Sequence, residues 1–228
     1  MDKLVSIIIP AKNEADTIGI VLDSLKSTND IVGEVIVVDG NSEDDTRQIA
    51  LDFGATVISD NGTGKGDAIR VGIKESRGDI LVFMDGDGSH DCNDIHKLVT
   101  PILNDELDMV IASRWKGGSD EFVGTFSQFV RSFGGTLITT VMNYRFRVVL
   151  SDSLNGFRAI KKKVAEDLNL TAQYFDIEQQ MVARCLKKGY RVGDIPSHEF
   201  TRRGGKTKLP TFRKPYIFLW RLFLDCLF

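Results

Sequence analysis

Short strand-like runs alternate with amphipathic stretches along the first half of the chain. The predicted strands are rich in valine and isoleucine and occupy residues 4–9, 34–38, 56–58, 80–84 and 109–112. Between them, apolar residues such as Ile18, Leu22 and Leu25 recur with helical spacing. Strands that alternate with helices in this way predict an α/β fold with a mostly parallel sheet over residues 1 to about 115.

The remaining elements are predicted from more local signals. Asn13 and Ser42 follow the first two strands and are expected to cap the next helices. The other predicted elements are helices at 122–144 and 176–188, the second ended by Gly189, a polar loop at 151–158 followed by a short helix, and strands at 190–195 and 198–201. The chain has no internal repeat or low-complexity linker, which favours one catalytic domain over 1–211 and an appended segment over 212–228.

The run from Ile80 to Met84 ends abruptly in two acids that are separated by one glycine, Asp85-Gly86-Asp87. A continuous apolar run predicts a strand buried on both faces, and ligands of such sheets bind beyond the carboxyl ends of the strands. Two neighbouring carboxylates favour a hard divalent cation with oxygen ligands. The alternative is an ordinary turn, since aspartate and glycine are common turn formers.

Polar clusters follow two other predicted strands, at residues 10–14 and 39–42. Because a parallel sheet brings adjacent strand ends to one edge, these clusters are expected to converge with Asp85 and Asp87. The glycine-rich stretch 62–66 around Lys65 resembles a phosphate-binding loop, but it lacks the P-loop and dinucleotide-binding patterns. A flexible turn is an equally good interpretation of this stretch by itself.

Composition and charge reduce the number of possible functional classes. The chain is 42% hydrophobic and 27% charged with a formal net charge of −3, which is typical of a soluble globular protein and argues against a dedicated nucleic-acid binder. Basic residues concentrate after Glu199, which suggests a local anionic partner. The three cysteines are widely separated, so we expect them to be reduced in a cytoplasmic setting, and we expect neither a signal peptide nor a transmembrane helix.

The ordered motifs resemble the nucleotide-diphospho-sugar transferase fold (GT-A, Rossmann-like) of glycosyltransferase family 2, and within it the dolichyl-phosphate mannosyltransferases and other polyprenyl-phosphate sugar transferases. The matching blocks are P-A-K-N-E at 10–14, V-V-D-G-N-S-E-D-D-T at 37–46, G-K-G-D-A-I-R-V-G-I at 64–73, M-D-G-D-G-S-H at 84–90, A-S-R-W-K-G-G at 112–118, S-D-S-L-N-G-F-R at 151–158, F-D-I-E at 175–178 and T-R-R-G-G-K-T-K-L at 201–209. The resemblance implies a mostly parallel central sheet flanked by helices.

The resemblance also implies a donor site with a divalent metal, Mg²⁺ or Mn²⁺. The metal would be held by Asp85, Asp87 and Ser89. The implied nucleotide-sugar-binding residues are Pro10, Lys12, Glu14, Val38, Asp39, Lys65, Asp85, Gly86, Asp87 and Arg114. Relatives commonly have a second aspartate where Gly40 stands and an aromatic residue where Lys12 stands, so GDP, UDP and other nucleosides all remain open.

On the acceptor side, the resemblance implies Arg131, Asp152, Glu178, Arg202 and Lys208 as phosphate- or acceptor-binding residues. Asp87, Arg114 and Arg202 would carry catalysis, because charge must be stabilised on the departing diphosphate. For each cation the alternative is a solvated surface charge. Asp152 and Glu178 have the alternatives of capping a helix or pairing with Arg158. A hydroxyl acceptor would need a general base, for which Asp176, Glu178 and Asp152 are the candidates.

The predicted function is metal-assisted, inverting transfer of a sugar, mannose or glucose, to a polyprenyl phosphate at the cytoplasmic face of a membrane. Segment 212–228 mixes aromatic, aliphatic and basic residues, so it either lies at the membrane surface or packs on the core, on a partner subunit or in a homodimer. The alternatives are a family member with a hydroxyl acceptor, a haloacid-dehalogenase-type phosphatase with Asp85 as nucleophile, and an accessory subunit without turnover.

Overall fold

A computed structural model describes residues 5–120, 126–204 and 216–227. A seven-stranded sheet runs through the centre in the order β3-β2-β1-β4-β6-β5-β7. The strands are β1 (Val5–Ala11), β2 (Val32–Asp39), β3 (Thr56–Ser59), β4 (Ile80–Phe83), β5 (Met109–Ser113), β6 (Arg158–Lys161) and β7 (Val192–Pro196). The predicted α/β fold is confirmed, and the proposed boundary near residue 211 lies outside the described residues.

Helices cover both faces of this sheet. They are α1 (Ile18–Ser24), α2 (Thr46–Asp52), α3 (Lys65–Glu75), α4 (Ile95–Leu103), α5 (Arg114–Gly117), α6 (Phe126–Phe146), α7 (Lys162–Asp167), α8 (Ile177–Lys187) and α9 (Tyr216–Leu222), which continues as a π-turn over Phe223–Leu227. Among the described residues, no helix combines the length and apolar character that a bilayer-crossing segment needs.

The sheet is parallel except at one strand. β1 pairs in parallel with both β2 and β4, whereas β6 is antiparallel to its neighbours β4 and β5. The polar loop that ends at Phe157 therefore leads into a strand before the short helix, where the sequence predicted the helix alone. The predicted strand at 198–201 is also wrong: Glu199 forms isolated bridges with His90 and Ser119 instead.

Alternating side chains of the strands build one core on each face of the sheet. Ile8 and Phe83 face a layer that contains α3, α6, α7 and α8, whereas Ile7 and Val82 face α1, α2 and α4. The central strands are therefore buried on both faces, as their continuous apolar runs predict. A ligand site is therefore expected at the ends of these strands, because apolar side chains fill the space on both faces of the sheet.

Asn13 and Ser42 do not cap helices. Asn13 adopts a positive φ of 51°, and its side chain accepts a hydrogen bond from Glu43 N at 2.8 Å. Ser42 Oγ accepts from Asn13 N at 2.9 Å and donates to Asp39 Oδ1. The helices α1 and α2 begin four or more residues later, at Ile18 and Thr46, so neither residue is at a helix start. Their hydrogen bonds instead connect the loop after β1 to the loop after β2.

Candidate active site

The carboxyl ends of β1, β2 and β4 lie side by side. Ala11 pairs with Asp39 at the ends of β1 and β2, and Met84 N donates to Ile8 O at 3.2 Å just beyond β4. The loops that follow these strands therefore leave the sheet at one edge. Asp85 and Asp87 lie in the loop after β4 and line a cavity of about 430 Å³.

Asp85 is held by two basic side chains. Lys65, the first residue of α3, places Nζ at 2.5 Å from Asp85 Oδ1 and 2.8 Å from Glu178 Oε1, and His90 Nε2 lies 3.7 Å from Asp85 Oδ2. Gly156 borders this group, since a Cβ there would lie 3.1 Å from both Asp85 Oδ2 and Lys65 Nζ. Lys65 therefore joins the helices α3 and α8 to the loop after β4.

Asp87 has a different set of partners. Its Oδ1 accepts hydrogen bonds from Ser89 N at 3.0 Å and Ser89 Oγ at 2.7 Å, and its Oδ2 lies 3.0 Å from Arg202 Nη2. The backbone of the same loop is fixed too, because Arg203 N donates to Asp87 O at 3.1 Å. The two aspartates of the motif are thus paired with two separate cations.

Arg114 and Asp152 form a third ion pair in the cavity. Arg114 Nε and Nη2 donate to Asp152 Oδ2 and Oδ1 at 2.6 and 3.1 Å, which is the bidentate geometry that suits a guanidinium. Glu199 Oε1 lies 3.6 Å from Arg114 Nη1. Asp152 sits in a loop held by Asp194, a β7 residue that accepts from Ser151 N at 2.5 Å.

These pairs set the protonation states of the site. Burial by itself raises the pKa of Asp85, but Lys65 and His90 outweigh it and hold that pKa well below its usual range. Burial likewise opposes the charge on Lys65, yet Asp85 and Glu178 raise the pKa of Lys65. The pKa of Asp152 is lowered because Arg114 outweighs the cost of burial. Asp85, Lys65 and Asp152 are therefore charged at neutral pH.

Charged and apolar side chains both line the cavity. The charged lining consists of the ion pairs described above, together with Arg131 from α6. The apolar lining comes mainly from α6 and α9 and from the loop before β6; its side chains include Trp115, Leu137, Ile138, Leu154, Phe218 and Leu219. A ligand that has both a charged group and an apolar body matches this lining.

The residues predicted to bind the nucleoside lie at the ends of β1 and β2, outside the lining of this cavity. Asp39 is buried and accepts from Ser42 N at 3.1 Å, and Glu14 packs near Gly86. Lys12 is exposed and Pro10 is half-buried. They are accompanied by Val38, whose side chain belongs to the core, so only its main chain remains for a ligand.

Lys208, predicted on the acceptor side, lies outside the described residues, and two other residues have partners that the sequence did not predict. Asp176, a candidate general base, is paired with Arg221 at 2.8 Å and is not among the side chains that line the cavity. Arg158, a possible partner of the acids, donates instead to the carbonyl oxygens of Asn155 and Glu178 at 2.9 and 2.8 Å. Arg158 thus orders the backbone around the site.

The structure adds residues that the sequence did not single out. Glu199 reaches Arg114, Gly156 borders Lys65, and His90 lies beside Asp85 and stacks on Phe157 with ring centroids 4.9 Å apart. His90 and Gly156 fall inside matching motifs, which was an available signal. Glu199 has no comparable signal, because it reaches the site only through the path of the chain after β7.

The oxygen donors of the loop after β4 fit a divalent metal if a ligand supplies further oxygens. Within the described residues, no three acidic, histidine or cysteine side chains come together as a preformed metal cage. Asp87 and Ser89 are adjacent and face the cavity, with Asp85 close by. Mg²⁺ is commonly bound by one or two carboxylates together with substrate phosphates. These residues therefore suit an ion that arrives with a diphosphate.

Residues 6–168 match the model of the family described as glycosyl transferase family 2. The chain belongs to that family. It is a glycosyltransferase. The assignment replaces the phosphatase alternative, since the Asp85-Gly86-Asp87 motif is part of a transferase domain.

Curated relatives extend the similarity over nearly the whole chain. Glycosyltransferase AglJ of Haloferax volcanii is 31% identical over 221 residues, which are 96% of this chain and 71% of AglJ. The UDP-N-acetylglucosamine–dolichyl-phosphate N-acetylglucosaminyltransferase of Methanococcus voltae is 28% identical, over 86% of this chain and 85% of that protein. The resemblance to polyprenyl-phosphate sugar transferases is thereby confirmed at the level of similarity.

Solved structures confirm the GT-A fold. Glucosyl-3-phosphoglycerate synthase from Mycobacterium tuberculosis, in complex with Mn²⁺, UDP and glucosyl-3-phosphoglycerate, superposes with a TM-score of 0.79. The match covers 98% of this chain and 80% of that one at 22% identity. At this identity the likeness establishes the architecture.

Proposed function

We propose that this protein transfers a sugar, mannose or glucose in the first instance, from a nucleotide-diphospho-sugar to a polyprenyl phosphate such as dolichyl phosphate, with inversion. The observation that carries the proposal is the pairing of the acids in and beside the cavity. Asp152 is paired with Arg114, Glu178 with Lys65, and Asp176 with Arg221. Each carboxylate considered as a general base is thus engaged by a cation.

This pairing favours an acceptor that is already ionised. A hydroxyl acceptor requires a base, and the lowered pKa of Asp152 makes that carboxylate a weak one. A phosphate monoester carries negative charge near neutral pH and can attack the anomeric carbon unaided. It requires positioning by cations, and Arg114, Arg131 and Arg202 line the cavity. The name of the Methanococcus voltae relative, which includes dolichyl phosphate, points to the same acceptor class.

The donor would lie along the edge of the sheet, from β2 to the loop after β4. Asp39, Glu14, Pro10 and Lys12, with the main chain of Val38, would surround the nucleoside. Gly86 would lie between the nucleoside end and the diphosphate end of the donor, since a Cβ there would be 3.8 Å from Glu14 Cγ. GDP and UDP are both candidates for the leaving nucleotide.

The diphosphate would lie beside Asp85 and Asp87. These aspartates, with Ser89, would hold Mg²⁺ or Mn²⁺, which supplies neutralisation of the charge that grows on the leaving group. The Mycobacterium tuberculosis synthase, whose complex contains Mn²⁺ and UDP, supports this class of cofactor. Arg202 would exchange its contact with Asp87 for the phosphate oxygens, and Lys65 would keep Asp85 ionised and oriented. Arg114 would remain against Asp152 and face the acceptor phosphate, with Arg131 beside it.

The C-terminal helix supports a membrane location for the acceptor. Part of its apolar surface points outward, with Tyr216 and Trp220 62% and 60% exposed, while Phe218 and Leu222 pack on the core and Arg221 points inward. α6 adds outward aromatic residues one helical turn apart, Phe129 and Phe133. Exposed apolar side chains on two helices that also line the cavity suit peripheral attachment at a membrane surface, for which we propose the cytoplasmic face.

The transfer assay tests the proposed function directly. The protein is incubated with Mn²⁺ or Mg²⁺, polyprenyl phosphate in detergent, and labelled GDP-mannose, UDP-glucose or UDP-N-acetylglucosamine in turn. We expect one donor to yield an organic-soluble labelled lipid, and excess EDTA to abolish it. Transfer only to hydroxyl acceptors such as glycerol 3-phosphate or phosphoglycerate, with no labelled lipid, would refute the phosphate-acceptor proposal.

Vesicle binding tests the membrane location. Replacing both Tyr216 and Trp220 with serine removes outward apolar surface of α9 without touching the inward Arg221. We expect the partition coefficient onto anionic vesicles, measured by co-sedimentation, to fall by at least about tenfold. Leu51→Ser is the matched control, because Leu51 is comparably exposed on the distant helix α2. Equal binding by the double variant and the wild type would place the membrane contact elsewhere.

A further inference from the structure

The C-terminal helix α9 packs against the rest of the protein through a face that is partly polar. Within α9, all of whose residues the structure describes, no side chain is fully buried. Phe218 and Leu222 pack against the hydrophobic core, and polar contacts lie beside them: Arg221 Nε and Nη2 both approach Asp176 Oδ2, at 2.9 and 2.8 Å. The Asp176 side chain is only 3% exposed and that of Arg221 14%. This pair is therefore a shielded ion pair between α9 and the residue that directly precedes α8.

Further polar contacts extend the same attachment along α8. Asp225, in the π-turn after α9, lies 3.0 Å from Arg184 Nε and 3.4 Å from both Gln180 Nε2 and Arg221 Nη1. Gln179 Nε2 donates to the carbonyl oxygen of Phe218 at 3.0 Å. Directional, charge-assisted hydrogen bonds therefore add to the apolar contacts of Phe218 and Leu222 in setting the orientation of α9.

Both ends of this attachment reach the cavity. On one side, α9 contributes Phe218 and Leu219 to the apolar lining of the cavity. On the other side, Asp176 directly precedes α8, whose residue Glu178 lies 2.8 Å from Lys65 Nζ. The Arg221–Asp176 pair consequently joins the apolar lining from α9 to the helix whose Glu178 holds Lys65.

We propose that Arg221 is a positioning residue for the acceptor: through Asp176 it holds α9 as the wall against which the apolar part of the acceptor lies. The inference rests on the proposed polyprenyl phosphate acceptor. Arg221 does not touch the substrate, and Asp176 is no general base. Their contribution is to keep Phe218 and Leu219 in place, which lowers the ordering cost when an acceptor binds.

Kinetics of Arg221→Gln test the assignment. We expect the KM for polyprenyl phosphate to rise about tenfold, the effect of losing one charge-assisted contact in the free enzyme, while the KM for the nucleotide sugar stays within about twofold. Hydrogen exchange of the 216–227 amides should be faster in this variant. Arg221→Lys should recover part of the acceptor affinity. Arg77→Gln changes a side chain that is 81% exposed, pairs with Glu34 and does not line the cavity, so it should leave both constants unchanged.

A double variant separates positioning from stability. Arg221→Gln alone leaves Asp176 buried without its partner, whereas Arg221→Gln with Asp176→Asn removes both charges and should restore stability while the acceptor KM stays raised. A normal acceptor KM in these variants, or an equal rise of both KM values, overturns the positioning role. A wild-type protein that makes no labelled lipid overturns the proposed function itself, so the two failures are distinguishable.

Discussion

Replacing Asp87 with alanine is expected to lower kcat by about 10³-fold, the rate equivalent of the several kcal/mol that a metal contributes to charge stabilisation. Asp87 is buried and faces the cavity, and the hydroxyl of Ser89 beside it would be a second oxygen ligand for the metal. The variant loses stabilisation of the negative charge that grows on the leaving diphosphate during transfer. The fold-change in kcat should therefore exceed the fold-change in KM for the donor. The measurement is steady-state transfer from the donor identified in the lipid assay.

Two further readouts show whether the Asp87 effect is local. The fold should survive with some loss of thermal stability, because Ser89 N and Oγ lose their acceptor, whereas Arg202, the other partner left behind, is partly exposed to solvent. Mn²⁺ binding in the presence of the nucleoside diphosphate, followed by electron paramagnetic resonance, should weaken markedly. Asp23→Asn is the control, since Asp23 is exposed and pairs with Lys26 three residues further along the chain. Full turnover in Asp87→Ala would remove this residue from the metal site.

Replacing Lys65 with methionine is expected to destabilise the fold by roughly 3 kcal/mol, the low end of the cost of leaving buried charges unpaired. The change strands Asp85 and Glu178, whose side chains are 33% and 6% exposed, and the exposure of Asp85 moderates the cost. Urea unfolding at neutral pH measures the effect. Adding Glu178→Gln to Lys65→Met should recover part of the loss, because one stranded charge is then removed.

The same variant has a defined pH dependence. Since Lys65 lowers the folded-state pKa of Asp85, the pair stabilises the fold above the unfolded-state pKa of about 4 and loses this contribution as the pH falls through the folded-state value. The difference between wild type and Lys65→Met should therefore shrink in acid. Lys188→Met, at the exposed pair with Asp167, should destabilise the fold far less than Lys65→Met. An equal cost for both lysines would contradict a buried role for Lys65.

The central strands were predictable because burial on both faces requires a continuous apolar run. The helices beside them were predictable because one apolar face packs on the sheet and gives a helical spacing of apolar residues. The run at 80–84 became β4, and the helical spacing of Ile18 and Leu22 became α1. β6 was not predictable in this way. Arg158 is almost fully buried in that strand, where the carbonyl oxygens of Ser153, Asn155 and Glu178 accept hydrogen bonds from its guanidinium group. A short strand that begins with a buried arginine lacks the apolar pattern by which a buried strand is predicted.

The capping predictions at Asn13 and Ser42 were wrong for a related reason. Both residue types favour helix starts and also tolerate tight loops. The choice depends on what the opposite loop offers, and here Asn13 and Ser42 bond to each other's segments. Local propensity cannot distinguish these outcomes, because the deciding partners lie about thirty positions away in the chain.

By itself, the sequence determined the α/β class, the family resemblance and the acidic motif after β4, since these depend on local patterns and ordered motifs. Only the tertiary structure decided which charges meet: Lys65 with Asp85 and Glu178, Asp87 with Arg202, and Arg221 with Asp176. Ion pairs between distant segments form where folding brings partners within a few ångströms in a shielded place, and sequence spacing carries no record of that distance.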